Sequence, residues 1–189
     1  MMSASEKRPA VFLDRDGVLV RLVPYLSRVH QLELYPGVAP ALATLERAGF
    51  ALVVVTNQSA LARGLLTWPE LQRIHRKLRE MLHAGGVVLD GIYVCPHHPR
   101  WHGPCPCRKP EPGLLLQAAD DLGLDLASSY LVGDRLDDVE AAARAGATGI
   151  LVKTGYGTEE ARKPLAVTIP IRDDLPAAAE WILNAQRSR

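Results

Sequence analysis

Short β-branched runs alternate with helical patterns along the chain, and this alternation constrains the fold more than any other feature. Probable strands lie near residues 10–14, 51–56, 89–94, 129–132, 149–152 and 166–169. Because helical segments fill the intervals between them, each strand predicts a crossover to a parallel neighbour. The predicted fold class is therefore α/β, with helices packed on a central parallel sheet.

Capping and turn residues indicate where the helices begin and end. Thr67 and Glu70 form a capping box with Pro69 in the first turn, and this helix continues to about Ala84. Glycine or proline marks the other boundaries. The remaining helices are predicted from Pro36-Gly37 to Ala48, after Pro112 to Gly123, from about Leu136 to Ala145, and from Asp174 toward the C-terminus.

Length and composition predict a globular domain. The 189 residues are enough for one domain with a substantial core, predicted over residues 1–189. Apolar residues make up 48% and charged residues 23%, and the net charge of +1 gives no general attraction for nucleic acid or acidic lipid. The first eight residues lack the apolar segment of a signal peptide, and no run approaches the roughly 20 apolar residues that span a bilayer. We expect a cytoplasmic protein.

Two carboxylates, Asp14 and Asp16, directly follow the first predicted strand and precede Gly17. Asp and Gly also form ordinary turns, so this segment alone decides little. Three further polar segments also lie at the ends of strand-like runs: 53–57, 107–110 and 131–138. Ligands of open α/β sheets bind at such strand ends.

The residue types in these segments suit phosphoryl transfer. An aspartate can act as a nucleophile, and a second carboxyl can donate and accept protons. Asp134 can join Asp14 in holding magnesium, with Asp138 orienting these ligands from behind. Thr56 can donate to phosphate oxygens, and Lys109 adds a positive charge.

The three cysteines lie in one short loop, residues 95–110, which favours metal ligation over a disulfide scaffold. Two close pairs form a Cys₃His set that suits a closed structural zinc site: Cys95 with His97, and Cys105 with Cys107. His98 and His102 are rival ligands. The alternative is three buried thiols beside an incidental histidine.

Taken in order, the four segments resemble the four motifs of the haloacid dehalogenase superfamily of aspartate-nucleophile phosphatases, over roughly residues 11 to 157. The resemblance implies a Rossmann-like three-layer sandwich without a large cap domain. It implies that Asp14 is the nucleophile and Asp16 the general acid and base. The other implied roles are phosphate binding by Thr56 and Lys109, magnesium ligation by Asp14, Asp134 and the backbone carbonyl of Asp16, and support of these ligands by Asp138.

Within this superfamily the chain resembles the zinc-loop D-glycero-D-manno-heptose 1,7-bisphosphate 7-phosphatases. Histidinol-phosphatases share the zinc loop and the run 107–110 but usually lack the Ser-x-x-Ala-Arg-Gly pattern found at 59–64. The chain departs from the heptose enzymes at residues 22–24 and at Ala60. The implied substrate-binding residues are Tyr25, Asn57, Gln58, Ser59, Arg108 and Arg135.

The leading hypothesis is a monomeric phosphatase that uses Mg²⁺ and Zn²⁺ and removes the C7 phosphate of a heptose bisphosphate through an aspartyl-phosphate. The nearest alternative is a phosphatase of histidinol phosphate or another small sugar phosphate. A catalytically silent, zinc-stabilised binding domain is the alternative from another class. A nucleic-acid end phosphatase is disfavoured, since no basic, aromatic stripe is present. We expect neither nucleic acid nor membrane as a partner.

Overall fold

The computed structural model describes residues 7–164 and 167–187. Its six strands form one parallel sheet in the order β3-β2-β1-β4-β5-β6. The strands are β1 Ala10–Leu13, β2 Ala51–Asn57, β3 Gly91–Cys95, β4 Tyr130–Gly133, β5 Thr148–Val152 and β6 Ile171–Arg172. The predicted α/β class with a central parallel sheet is confirmed.

The helices follow the predicted capping signals. Glu70 accepts a hydrogen bond from the Thr67 backbone N–H at 2.9 Å, which completes the capping box. The helices are α1 Val38–Arg47, α2 Ser59–Ala62, α3 Trp68–Ala84, α4 Pro99–His102, α5 Gly113–Leu122, α6 Leu136–Ala145, α7 Gly157–Glu160 and α8 Leu175–Arg187. Two 3-10 turns lie at Val29–Gln31 and Leu126–Ser128.

Helices cover both faces of the sheet and make three layers. Successive strand side chains point to opposite faces. Val11 and Leu13 therefore join the core formed with α1, α3 and α8, whereas Phe12 joins the core formed with α5 and α6. Burial on both faces explains why the central strands are continuous apolar runs.

The strand order reverses direction at β1. The chain passes from β1 to β2 on one side and later returns to β4 on the other side. In open α/β sheets this switch point leaves a crevice outside the carboxyl ends of the two central strands. The Asp14 N–H donates to Val132 at 3.0 Å, which fixes the start of the loop after β1 beside β4.

The predicted strand at 166–169 is wrong in position. Residue 166 lies outside the described residues, and residues 167–169 lie outside the sheet, with Val167 68% exposed. The sixth strand is Ile171–Arg172, which pairs with β5. Pairing starts at Pro170, whose carbonyl accepts from the Leu151 N–H at 3.0 Å. Position beside β5, rather than apolar character, therefore decides which residues join the sheet.

The connections near the crevice are too short to hold a large cap domain. Residues 14–37 hold one 3-10 turn, and residues 58–67 hold only α2. The loop after β3 contains the four-residue α4.

Within residues 7–164 and 167–187, no helix has both the length and the apolar character that crossing a bilayer requires.

Candidate active site

Side chains from four predicted segments line one cavity of about 370 Å³. Asp14 follows β1, Thr56 belongs to the end of β2, and Asp134 follows β4. Lys109 enters from the loop between β3 and α5. The predicted residues therefore meet at one site. The expectation that 107–110 directly follows a strand is wrong, because β3 ends at Cys95 and Lys109 reaches the cavity from the loop between α4 and α5.

Lys109 is a buried cation that pairs with two carboxylates of the cavity, and it is only 3% exposed. Its Nζ lies 2.9 Å from Asp14 Oδ1 and 2.6 Å from Asp138 Oδ1, and it donates to the Val55 carbonyl at 2.8 Å. These three acceptors match the three N–H groups of an ammonium. A lysine and an aspartate that resemble surface residues in the sequence are thus a buried ion pair.

Asp134 lies in a cradle of glycine backbone and is 1% exposed. Gly17 and Gly155 both have positive φ, and a Cβ on either would lie 2.2 or 2.0 Å from Asp134 Oδ2. The same oxygen accepts from the Tyr156 N–H at 2.9 Å. Glycine is required at both positions because the backbone itself packs against this carboxylate.

Three carboxylates in this cavity form a group that could hold a metal ion. Oxygens of Asp14, Asp134 and Asp138 lie within 4.8 Å of one another. Burial raises the pKa of Asp14 to about 6, although Lys109 opposes the rise. Burial and then the charge of Asp14 raise the pKa of Asp134 to about 7. Burial would lower the pKa of Lys109, but the charges of Asp138 and Asp14 raise it.

Asp16 also lines the cavity, but its carboxylate faces Arg15 and Gln58. Arg15 donates from Nε at 3.1 Å and from Nη2 at 2.8 Å, one bond to each Asp16 oxygen. Gln58 Nε2 donates to Asp16 Oδ2 at 2.9 Å and lies 2.9 Å from Thr56 Oγ1. Gln58 therefore connects two of the predicted catalytic side chains.

Asn57 holds the lysine segment in place. Its Nδ2 donates to the Lys109 carbonyl at 3.1 Å, and its Oδ1 accepts from the Lys109 N–H at 3.2 Å. Arg108, one residue earlier, donates from Nη1 to the His97 carbonyl at 3.1 Å. Both side chains line the cavity, but these bonds also tie the lysine segment to β2 and to the cysteine loop.

The cysteine loop gathers a second group that could hold a metal ion. Its members, Cys95, His97, Cys105 and Cys107, offer ligand atoms that lie within 4.8 Å of one another. The two rival histidines are used elsewhere, since His98 Nδ1 accepts from the Arg100 N–H and His102 Nδ1 lies 3.5 Å from the His98 backbone nitrogen. The geometry therefore favours His97 as the histidine ligand of this group.

Similarity to known proteins agrees with this arrangement. The HAD-hydrolase-like family profile matches residues 106–178. The chain is 42% identical over 183 residues to the D-glycero-beta-D-manno-heptose-1,7-bisphosphate 7-phosphatase of Escherichia coli strain K12, covering 94% of this chain and 89% of the relative. It is 42% identical to the D-glycero-D-manno-heptose-1,7-bisphosphate 7-phosphatase of Thermosynechococcus vestitus, with 93% and 95% covered.

A solved structure of D,D-heptose 1,7-bisphosphate phosphatase from B. bronchiseptica, complexed with magnesium and phosphate, is similar to this fold with a TM-score of 0.87. The two chains are 38% identical, and the match covers 94% of this chain and 99% of the other. The chain belongs to the heptose bisphosphate phosphatase family of the haloacid dehalogenase superfamily. It is accordingly a phosphoric monoester hydrolase.

The other predicted substrate-binding residues of this heptose bisphosphate phosphatase also lie at the cavity. Ser59, Tyr25 and Arg135 all line the cavity. Tyr25 has a φ of 51° and is 45% exposed. The Arg135 guanidinium lies 5.0 Å from the centre of the Tyr156 ring.

Sequence reasoning missed several residues of the site. Asp137 and Tyr156 line the cavity, and Asp137 could have been found from its place beside Asp138 in the fourth motif. Nothing in the local sequence marks Tyr156. Sequence reasoning gives no role to Arg63, although it belongs to the 59–64 pattern, or to His75, because their contacts beside the site are with residues distant in the chain.

Proposed function

We propose that this enzyme removes the C7 phosphate of D-glycero-D-manno-heptose 1,7-bisphosphate through an aspartyl-phosphate at Asp14. One observation carries the mechanism: Asp14 lies at the switch point of the sheet with Lys109 Nζ 2.9 Å from its carboxylate. The printed activities of relatives at 42% identity support the substrate.

The first step transfers the phosphoryl group to the enzyme. An Asp14 oxygen forms a bond to phosphorus as the bond from phosphorus to the C7 oxygen breaks. Asp16 gives a proton to the departing oxygen. Thr56 and Lys109 donate hydrogen bonds to phosphate oxygens and stabilise the charge that develops there.

The second step returns the enzyme to its starting state. Water attacks the phosphorus of the aspartyl-phosphate, and the bond to the Asp14 oxygen breaks. Asp16 accepts a proton from that water, so it is restored as an acid for the next cycle. The products of the cycle are inorganic phosphate and a heptose that keeps its phosphate at C1.

The carboxylates of the cavity fit Mg²⁺, which prefers hard oxygen ligands and keeps several waters and substrate oxygens. We assign Asp14, Asp134 and the backbone carbonyl of Asp16 as ligands, with Asp138 supporting them through Lys109. Burial raises the pKa values of Asp14 and Asp134, so the ionised forms of these carboxylates would be stabilised by a bound cation. When bound, the ion would neutralise phosphate charge.

The loop at 95–110 fits a structural Zn²⁺. Tetrahedral zinc with bonds of about 2.3 Å to sulfur separates its ligand atoms by about 3.8 Å. Cys105 Sγ lies 3.7 Å from Cys95 Sγ and 3.6 Å from Cys107 Sγ, close to this separation, whereas Cys95 Sγ and Cys107 Sγ are closer together, at 3.1 Å. Four protein ligands leave no open position for chemistry, so we assign this site to holding Arg108 and Lys109 at the cavity.

Phosphate release with magnesium tests the substrate. The panel contains both anomers of the heptose bisphosphate, histidinol phosphate, fructose 1,6-bisphosphate and a 3′-phosphorylated oligonucleotide. We expect one heptose anomer to exceed the other compounds by at least about tenfold in kcat/KM, with a heptose 1-phosphate as product. Asp14→Asn is the inactive control.

Two other results would contradict this proposal in different ways. A preference for histidinol phosphate would overturn the substrate and leave the mechanism intact. Turnover of no compound by the folded, metal-loaded protein would overturn the enzymatic proposal and favour the binding-domain alternative.

A further inference from the structure

Arg15 is a buried cation between the two aspartates of the first motif. It is 1% exposed and belongs to the largest fully buried side chains of the described residues. Arginine is almost never buried to this extent without a charged partner. Its partner is Asp16, which accepts one hydrogen bond on each oxygen from Nε and Nη2. This two-bond fork fixes both the position and the rotation of the carboxylate.

His75 supports the other side of the same guanidinium. Its Nε2 lies 3.2 Å from Arg15 Nη1. Arginine has donors only, so His75 Nε2 is the acceptor and the ring proton is on Nδ1. His75 belongs to α3, 60 residues from Arg15 in sequence. His75 therefore links helix α3 to the loop after β1.

Three side-chain hydrogen bonds converge on the carboxylate of Asp16. Arg15 supplies two hydrogen bonds and Gln58 Nε2 a third at 2.9 Å. An ionised carboxylate has about four acceptor sites, so three bonds leave one for a further donor. A water O–H can fill that place.

We propose that Arg15 and His75 are positioning residues that hold Asp16 as the base for hydrolysis of the aspartyl-phosphate. This inference rests on the proposed function and refines its second step. Asp16 takes the proton of water at its remaining acceptor site, while the water oxygen bonds to phosphorus and the Asp14 oxygen leaves. His75 acts only through Arg15, by accepting the hydrogen bond that keeps the fork directed at Asp16.

The test separates the two steps with p-nitrophenyl phosphate, whose leaving group departs without a proton from the enzyme. In His75→Leu the acceptor for Arg15 is lost. We expect a rapid burst of about one p-nitrophenolate per active site, followed by steady turnover 10- to 100-fold slower than in the unchanged enzyme. His75→Gln keeps an acceptor, so we expect it to recover most of the steady rate. His83→Leu makes the same change at an exposed position of α3 and is the matched control.

Arg15→Lys provides an independent variant that does not depend on how His75→Leu folds. Lysine keeps the charge but lacks the fork, so the same burst with slow turnover is expected. Equal slowing of burst and steady rate in both variants, with a lower Tm, would show a merely structural role and overturn the proposal. Unchanged steady turnover in either variant would also overturn it. Since this test uses no heptose, failure of the proposed substrate in the phosphate-release panel is a separate result.

Discussion

At the scale of single residues, the site depends on carboxylates that are buried close together. Lys109 balances Asp14 and Asp138, but the carboxylate of Asp134 has a backbone N–H and glycine backbone as its near neighbours. Burial of several like charges favours either a bound proton or a bound cation. Protons and magnesium therefore compete for the same oxygens.

This competition predicts that magnesium affinity depends on pH. The pKa of Asp14 is about 6 and that of Asp134 about 7 without metal, so both groups take up protons as the pH falls from about 8 to about 5. We expect the apparent affinity to fall by up to about tenfold per pH unit for each proton displaced. Titration calorimetry in two buffers of different ionisation enthalpy measures affinity and proton release together. Constant affinity over this range would contradict the assignment of Asp14 and Asp134 as ligands.

The glycine cradle predicts a specific effect of one methyl group. In Gly155→Ala the new Cβ would lie 2.0 Å from Asp134 Oδ2, so the carboxylate has to move. We expect magnesium binding to weaken by at least about tenfold. This loss is separate from the roughly 1–2 kcal/mol of folding stability that an alanine in the left-handed conformation costs. Gly123→Ala is the matched control, with a φ of 65° and open space around its Cβ. Equal metal binding by the two variants would show that Gly155 has no role in placing Asp134.

At the scale of elements, Arg63 connects three segments next to Tyr25, which lines the cavity. Its guanidinium lies 5.2 Å from the Tyr25 ring centre and 5.3 Å from that of Trp101, and its Nη2 lies 3.1 Å from His98 Nε2. Tyr25 belongs to the loop after β1, and Trp101 to α4 in the cysteine loop. Arg63 thus joins the loop after β1, which lines the cavity, to the cysteine loop.

Loss of this stack should weaken substrate binding more than chemistry. Two exposed cation–π contacts are worth about 1–2 kcal/mol together. We expect Arg63→Met to raise KM for the heptose bisphosphate by about 3- to 10-fold, with kcat within about threefold. Arg76→Met, at an exposed position of α3, is the matched control. A lower kcat with unchanged KM would contradict this role.

The cysteine loop predicts a metal dependence of stability. Cys105→Ser should lower zinc content, Tm and kcat together, because Lys109 would lose its fixed approach. Unchanged enzyme treated with a chelator and resupplied with magnesium should resemble the variant, and the variant should be insensitive to the chelator. Lower zinc content with unchanged Tm and unchanged substrate affinity would show that the loop needs no metal.

At the scale of the whole molecule, local sequence patterns suffice for most of the architecture. Apolar runs and capping residues predict the central strands and the long helices, because those signals are local. The short edge strand at Ile171 depends on its partner in β5, so the apolar run at 167–169 is misleading. The proposal of a single domain over residues 1–189 stays a prediction.

The candidate site, like the fold, could be predicted from the sequence only in part. Asp14, Thr56 and Asp134 could be predicted because strand ends of one sheet converge. Lys109 could be predicted from its motif, although it lies in a loop and not at a strand end. The side-chain network around Asp16 could not, since Arg15 and His75 meet only after α3 has packed on the sheet. Nor does the sequence show that Asn57 bonds to the Lys109 backbone rather than acting only on substrate.

The central claim is a covalent phosphoryl group on Asp14, and its direct test is peptide mapping after an acid quench. Asp16→Asn mixed with magnesium and p-nitrophenyl phosphate should accumulate phosphoryl on the peptide that contains Asp14, because the leaving group needs no acid but hydrolysis needs the base. Asp14→Asn should show no label. A phosphoryl group on another residue, or phosphate release by Asp14→Asn at the unchanged rate, would contradict the account.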